Sequence, residues 1–306
     1  MSLGLTVPVP GRAFAVVAAL LLGCAAAPAA EPTTDAAQPT IAHAPDDIAI
    51  DGQLDDDAWQ AATPIPVVYI HGKKDAPVDS PHMIVRYLWD EHYLYIAYET
   101  FDANVTAFGQ DDHQGPPDNQ RQTAEIWIEC EKVDVVELFI TFSSTRFFWE
   151  LHHNAANHFS DIFCTVFDKD WPINESSVAD YGILFGRELL LVDDGEFTFA
   201  SAAALKPRAD GRPSTINDAS DTDTGYTAEL RIPWLALGAP KKARLWTDDK
   251  PRQATGAWDM VGQSIRILAA IQQGDGDIRY MHSSPTMGGG FFHHGAIDWP
   301  MYRLAE

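Results

Sequence analysis

The sequence predicts an all-β protein, a jelly-roll-like sandwich of two antiparallel sheets with short helices. About ten short runs of β-branched and aromatic residues follow one another between turn residues, and few stretches show a long helical period. The hydrophobic fraction of 46% over 306 residues is enough for the sizeable core that such a sandwich needs. The runs continue to the C terminus without a long linker, which favours one domain.

The clearest element is a β-hairpin between Met83 and Phe101. Its arms, Ile84–Trp89 and Tyr93–Phe101, are rich in β-branched and aromatic residues, and the polar residues Asp90–His92 separate them. Large apolar groups occur on both faces of the second arm. We therefore expect a central pair of strands that is covered on both sides.

The domain is expected to open with a short strand, an Asp-Gly turn and one or two helical turns between Ile48 and Trp59. Asp55 or Asp56 could cap that helix, and Trp59 should pack inward. The consecutive aspartates Asp55–Asp57 could suggest a cation site, but calcium requires oxygens that converge from several points of a loop. We expect solvation and capping from them instead.

Later runs predict the remaining strands. Val135–Thr141 and Thr145–Leu151 form a second expected hairpin. Residues 102–119 contain several glycines and prolines and are expected to be a loop. The other expected strands are Ile162–Phe167, Phe197–Ala203, Tyr226–Ile232, Ser264–Ile271 and Ile278–Met281.

The N terminus has the features of an export signal. A flank with Arg12 and no acid leads into the apolar run Ala13–Gly23, which is too short for a membrane span of about 20 residues. Leu21–Cys24 resembles the bacterial lipobox, in which the cysteine is lipidated, while Ala27–Ala29 offers an ordinary cleavage site as the alternative. We favour the lipoprotein signal.

The expected organisation therefore has three segments: a signal peptide over residues 1–23, a disordered tether over 24–45 that begins with lipidated Cys24, and one domain over 46–306. Either cleavage route exports the protein, to the bacterial envelope (outer membrane or periplasm) or outside the cell. No later run is long enough for a transmembrane helix, so a lipid anchor would be the attachment to the membrane.

The formal net charge of −23 restricts the possible partners. It argues against nucleic acid, whose phosphates require Lys and Arg, and against anionic membrane surfaces. It suits a neutral or cationic partner or metal ions, and it also serves solubility alone. Apart from Cys24, the cysteines are Cys130 and Cys164, which could pair in an oxidising compartment or remain two buried thiols.

An ordered set of motifs resembles carbohydrate-binding module family 9 and its wider group of domains. An Ile-Asp-Gly-x-Leu-Asp-x-x-x-Trp opening is followed by Tyr-Leu-Trp-Asp-x-x-Tyr-Leu-Tyr-Ile-Ala-Tyr in the hairpin. The later matching segments are Ala124–Glu129, Gly225–Trp234, Ser264–Ile267 and Phe292–Ile297. The resemblance implies a β-sandwich that binds sugars, sometimes with structural calcium.

The chain also departs from that family. Leu189–Thr224 is long and holds several aspartates, and the closing segment lacks the family's Pro-x-x-Phe-Gly. The pair of aromatic residues that clamps sugar in the best-known members has no counterpart that the motifs place. The resemblance therefore implies the fold more directly than the ligand.

Sugar binding requires flat aromatic faces beside groups that hydrogen-bond hydroxyls. Trp171 lies in an expected turn between Asp170 and Pro172 and is the first candidate. Trp149 is the second candidate, because the polar residues His152, His153 and Asn154 follow it closely. Trp246 and Trp258 also lie near loops or strand ends. The tryptophans at strand or motif positions are expected in the core: Trp59, Trp89, Trp127 and Trp234.

The histidines allow other interpretations. His153 and His158 could join Asp161 in a metal site, but their spacing matches no strong metal motif, so we expect hydrogen-bonding or surface histidines. His293 stands close to Gly288–Gly290. The family resemblance suggests that it lies at the rim of the site or supports the last strand.

Two other function classes stay open. A glycoside hydrolase needs two carboxylates at a defined separation, which sequence cannot give for Glu125, Glu129, Glu137, Glu150 and Glu229. A haem-binding electron-transfer domain would need axial ligands, for which Met83, His153 and Met260 could be nominated. We favour non-catalytic binding of a saccharide in glycan capture or catabolism, with no cofactor beyond structural calcium.

Overall fold

The computed structural model describes residues 38–73, 77–107, 133–142, 147–166, 183–187, 198–240, 243–246, 254–274, 280–287, 292 and 296–306. The expectations about Cys24, Cys130, Trp127, Trp171 and His293 lie outside these residues. No helix in the described part of the chain is both long and apolar enough to cross a bilayer.

The described chain is almost entirely β-structure. Short 3-10 helices cover Asp57–Ala61 and Ala296–Asp298. The strands are β1 Thr40–His43, β2 Ile65–Val67, β3 Tyr69–Ile70, β4 Met83–Trp89, β5 Tyr93–Thr100, β6 Val135–Thr141, β7 Phe147–His153, β8 Phe159–Val166, β9 Ile183–Arg187, β10 Ala200–Leu205, β11 Tyr226–Pro233, β12 Arg244–Trp246, β13 Ala254–Trp258, β14 Ser264–Gln272, β15 Tyr280–His282 and β16 Met301–Leu304.

The strands form two sheets that β1 joins. The front sheet has the order β10-β11-β5-β4, with β2 also paired to β4. The back sheet has the order β16-β14-β6-β7-β8-β9, and β15 and β3 extend it beside β14. β12 and β13 form a separate two-stranded ribbon. The expected two-sheet sandwich is therefore confirmed.

The strand β1 departs from the antiparallel pairing of the other described strands. Its first half pairs in parallel with β16, through Thr40 and Arg303, and its second half pairs in parallel with β4, through Ala42 and Leu88. One short strand can serve both sheets because the sandwich brings their edges together at this corner.

The predicted hairpins are present. β4 and β5 pair along their whole length, from Met83 opposite Thr100 to Trp89 opposite Leu94. β6 has the predicted bounds, and β7 ends at His153 rather than at Leu151. The five other expected runs correspond to β8, β10, β11, β14 and β15, with ends shifted by a few residues.

Two expectations at the start of the domain need correction. The tether was expected to reach residue 45, but β1 occupies Thr40–His43 and buries Ile41. The expected strand near Ile48 is absent from the described structure, and the backbone N–H of Ala49 donates instead to Asp56 Oδ2 at 2.9 Å. Asp56 therefore fixes this segment and makes no side-chain cap on the following helix.

The main core fills the space between the sheets. Alternate residues of β4, β5 and β11 face those of β6, β7 and β14, as the period of a strand requires. Fully buried examples are Val85, Ile96, Leu230, Leu138 and Ile267.

Each sheet is also covered on its outer face. The segment with Trp59 packs on Leu88, Tyr95 and Ala97 of the front sheet. The segment with Phe292 and Trp299 packs on part of the back sheet, against Phe139, Phe148 and Leu268. This double cover explains why the hairpin sequence is apolar on both faces.

Candidate functional site

Trp149 lies in β7, faces the inside of the sandwich and is only 5% exposed. It lines a cavity of about 330 Å³ at the end where β6 ends and β7 begins. Its ring meets Phe163 at 5.1 Å between centroids, and Phe147, which is 51% exposed, stacks on Phe163 at 6.4 Å. Thr141 is the single polar side chain among the described residues lining this cavity.

The structure does not bring the predicted partners of Trp149 to that cavity. His152 points to the outer face of the back sheet, because strand alternation sets it opposite to Trp149 and His153. Asn154 closes a tight turn, in which its Oδ1 accepts the backbone N–H groups of Ala156 and His158. All three predicted polar residues are buried, so they do not form one exposed site with Trp149.

His153 belongs to a buried hydrogen-bond network between the sheets. Its Nε2 is 2.8 Å from Asn157 Oδ1, and its Nδ1 contacts the Tyr98 hydroxyl. Burial lowers its pKa to about 4, so the ring is neutral: Nε2–H donates to the amide oxygen and Nδ1 accepts from the phenol. This arrangement stabilises the fold and leaves His153 no free ring nitrogen.

The haem alternative has no available ligands among the residues nominated for it. Met83 and Met260 are fully buried in the core between the sheets. His153 uses both ring nitrogens in the network above. None of the three can therefore act as an axial ligand without unpacking the core.

The polar residues of the back sheet gather on its outer face. One register row crosses six strands, and paired residues in such a row project to the same side. The row contains Tyr69, His282, Ala270, Glu137, His152 and Ser160, from β3 to β8.

A group of five aromatic rings surrounds the first part of this row. We call it the sheet-face site, and its residues are Tyr69, His71, Tyr280, His282 and Phe292. Their ring centroids lie 4.8 to 6.4 Å apart in the contacts that join them. Tyr69, His71 and Tyr280 are half-buried, so the group reaches solvent through these three rings.

His282 is the least usual residue of the sheet-face site. The residue is fully buried, and its pKa is lowered to about 4 by burial and by the neighbouring His71. Nδ1 accepts the backbone N–H of Ser284 at 3.3 Å, so the neutral ring carries its proton on Nε2. Within the described part of the chain, this buried Nε2–H has no acceptor, and Nδ1 of His71 is likewise unpartnered. A buried donor without an acceptor costs free energy, which a ligand oxygen would recover.

A charged group continues the row beside the sheet-face site. His152 Nε2 lies 3.0 Å from Glu150 Oε1 and 4.0 Å from Glu137 Oε1. Burial lowers the pKa of His152, but the hydrogen bond and charge of Glu150 and the charge of Glu137 outweigh it and raise the pKa above its ordinary value. His152 therefore lies between two buried carboxylates, and Glu150 also accepts the Cys164 thiol at 3.4 Å. Cys164 itself is a free, buried thiol.

Sequence analysis missed most of the sheet-face site. Tyr69, His71, Tyr280 and His282 come from two short strands and a turn that lie far apart in the chain. The expected strand Ile278–Met281 holds Tyr280 and ends one residue before His282. The alternation of these two residues was the one signal that could have indicated a shared face. His152 was a predicted site residue, but its neighbours on the same face come from adjacent strands and not from the residues that flank it in the chain.

A metal site requires several donor side chains that converge on one point. Among the residues that the structure describes, no three His, Cys, Asp or Glu side chains converge to hold a metal ion. Of the consecutive aspartates Asp55–Asp57, Asp56 accepts the backbone N–H of Ala49 and Asp57 accepts from the Gln60 amide, so these two serve separate partners. Structural calcium stays a prediction.

Known proteins resemble this chain in fold. No family model matches it, and no curated protein matches its sequence. A putative carbohydrate-binding protein from Bacteroides uniformis ATCC 8492 superposes with a TM-score of 0.51 at 12% identity, covering 87% of this chain and 97% of that chain. At this identity the likeness shows the fold alone.

Two further structures are those of a carbohydrate binding module family 9 from Caldicellulosiruptor kristjanssonii. The complex with cellotriose has a TM-score of 0.43 at 13% identity and covers 88% of this chain and 93% of that chain. The complex with glucose has a TM-score of 0.44 at 14% identity and covers 87% and 95%. With TM-scores below 0.5, neither supports an argument about this chain.

Proposed function

We propose that this protein binds carbohydrate without catalysis, at the sheet-face site. The observation that supports this most directly is the buried Nε2–H of His282, which has no acceptor in the described chain and lies among four other aromatic rings. A sugar hydroxyl is an uncharged acceptor of the kind that this donor requires.

The chemistry of the site matches both sides of a sugar ring. The flat C–H faces of a sugar ring pack on aromatic rings, which the half-buried Tyr69 and Tyr280 supply. The hydroxyl groups of the sugar need donors and acceptors, which the unpartnered nitrogens of His71 and His282 supply. Because burial keeps the pKa of both histidines below the ordinary value, the site suits a neutral hydroxyl better than an anion.

The fold is compatible with this proposal. The Bacteroides uniformis protein is described as a putative carbohydrate-binding protein, and the sequence motifs resemble family 9. Both observations concern the scaffold, so the assignment of the site rests on the residues of the back sheet.

Calorimetric titration with neutral oligosaccharides of plant, algal and bacterial origin tests the proposal. We expect Tyr280→Ala and Tyr69→Ala each to weaken binding about tenfold, or ~1.4 kcal/mol, through loss of ring contact. Tyr93→Ala is the matched control, because Tyr93 is also half-buried but belongs to the front sheet. Absence of binding to every glycan, or equal loss in the Tyr93 variant, would contradict the proposal.

The export signal and the calcium belong to the same proposal. The protein would be lipidated at Cys24 and held at the bacterial envelope, where it captures glycans for breakdown. Mass spectrometry of the mature N terminus should find a lipidated cysteine that Cys24→Ala removes. Structural calcium would show itself as a lower Tm after treatment with EDTA and recovery on adding calcium.

A further inference from the structure

Arg231 lies on the outer face of the front sheet, in β11. Its neighbours along the strand, Leu230 and Ile232, are fully buried between the sheets, so strand alternation turns the Arg231 side chain outward. It pairs with Tyr95 of β5 on one side and with Ala200 of β10 on the other. The sheet-face site lies on the outer face of the back sheet and shares no described residue with this place.

The guanidinium of Arg231 lies over an aromatic ring. Its Cζ is 5.2 Å from the centroid of the Tyr93 ring, which is within the range of a cation–π contact. Tyr93 in turn meets Tyr95 at 5.8 Å between ring centroids. The contact with the ring orients the cation, but it does not supply acceptors for the five N–H groups of the guanidinium.

These N–H groups have no acceptor in the described part of the chain. The Arg231 side chain makes no hydrogen bond and no ion pair there, and its Nε is buried without a partner. The residue as a whole is partly exposed, so a ligand can approach it from solvent. A cation that has lost part of its hydration and has gained no counter-charge costs free energy, which an anion would recover.

The acids close to Arg231 are bonded to other donors. Asp90 accepts the Tyr95 hydroxyl at 2.7 Å and two backbone N–H groups of its own turn at 2.6 and 2.7 Å. Glu229, two residues earlier on the same face of β11, accepts three hydrogen bonds from the opening segment of the domain. Neither carboxylate therefore pairs with the arginine.

Two other basic residues of the front sheet do have an acid partner. Arg86 Nη1 lies 3.6 Å from Glu99 Oε1, and Lys206 Nζ lies 3.9 Å from Glu99 Oε2. The chain has 44 Asp and Glu residues against 21 Lys and Arg residues. Carboxylates are therefore abundant, and Arg231 stands without one at a place where an external anion can reach it.

We propose that Arg231 binds the carboxylate of a uronic acid unit in a glycan. A planar guanidinium donates two parallel hydrogen bonds to a planar carboxylate, which gives both charge and orientation. The net charge of −23 repels polyanions, so the ligand carries isolated uronic acids on a neutral backbone. The sugar part of this inference rests on the proposed function, whereas the requirement for an anion rests on Arg231 alone.

The test is calorimetric titration with a xylo-oligosaccharide that carries one glucuronic acid, and with the same compound after reduction of its carboxyl group to the alcohol. The acid should bind about tenfold more tightly than the reduced compound through its charge-assisted hydrogen bonds. Arg231→Gln should abolish this difference and leave the affinity for the reduced compound unchanged. Arg231→Lys should retain part of the difference, because it keeps the charge but loses the planar fork.

Arg86→Gln is the matched control, because it removes the same charge from the same sheet and should keep the tenfold difference. The Tm of Arg231→Gln should equal that of the parent protein, since no hydrogen bond of the described chain is lost.

Four results would overturn the inference. These are equal affinity for the acid and the reduced compound, a difference that persists in Arg231→Gln, an equal loss in Arg86→Gln, and tighter binding of a sulfated oligosaccharide than of the glucuronic acid compound. If the reduced compound binds and Tyr280→Ala abolishes its binding, but the acid has no advantage, this inference alone is contradicted. If the acid binds through Arg231 and no neutral glycan binds, the sheet-face proposal alone is contradicted.

Discussion

Glu229 accepts the indole N–H of Trp59 at 2.8 Å through Oε1. Its other oxygen accepts the backbone N–H groups of Asp51 and Gly52 at 3.1 and 3.0 Å. The Asp-Gly opening and the Gly-Tyr-x-x-Glu strand, which are far apart in the sequence, therefore form one unit on the outer face of the front sheet. The hydrogen bonds of Glu229 thus give a physical reason for the presence of both motifs in one chain.

We expect Glu229→Gln to destabilise the fold by about 1–3 kcal/mol, because one amide oxygen cannot replace a carboxylate that accepts three hydrogen bonds in a buried place. Chemical denaturation measures the change. Glu99→Gln is the control on the same face, since Glu99 makes only partly exposed ion pairs with Arg86 and Lys206, and it should cost about 0–1 kcal/mol. Equal costs for the two variants would contradict this role of Glu229.

Gly52 is required in the same unit for two separable reasons. Its φ is +85°, and a Cβ would lie 2.7 to 2.9 Å from backbone atoms of Ala203 in β10. Gly211 has a similar φ of +81°, but a Cβ there meets nothing within 4 Å. Gly211→Ala should therefore cost about 1 kcal/mol from the backbone conformation, and Gly52→Ala should cost more, about 2–4 kcal/mol. Thermal unfolding of both variants checks the difference, and equal costs would show that the close approach to β10 has no effect.

The stability of the protein should depend on pH, because His153 and His282 are buried as neutral rings. The pKa of His153 is lowered from 6.5 to about 4, first by burial and then by His158, and that of His282 is lowered similarly. Between these pH values the unfolded chain binds more protons than the folded chain, so stability should fall as pH falls from 6.5 toward 4. His153→Gln should flatten this slope, whereas His92→Gln at the partly exposed hairpin turn should not. An unchanged slope in the His153 variant would contradict the prediction.

The fold could be predicted because strand alternation and hairpin turns are local signals. β4 and β5, for example, show their apolar faces within one stretch of sequence. β1 could not be predicted, since Thr40–His43 has a single buried apolar residue inside a Pro- and Ala-rich segment and depends on parallel pairing with distant strands.

The candidate site was harder to predict than the fold. Trp149 was expected near a loop, but its position in β7 turns it into the sandwich, and its polar followers split between two faces. Tyr69, His282 and His152 become neighbours along one face only through the register of six strands. Register between strands distant in sequence is not contained in a local pattern.

The proposed hydrogen bond from the Nε2–H of His282 to a saccharide is tested most directly by NMR of the imidazole groups during titration with a neutral oligosaccharide. We expect the Nε2–H resonance of His282 to shift and to be protected from exchange in step with binding, while the resonances of His153 stay in place. Saturation with sugar that leaves the His282 and His71 signals unchanged would contradict the account.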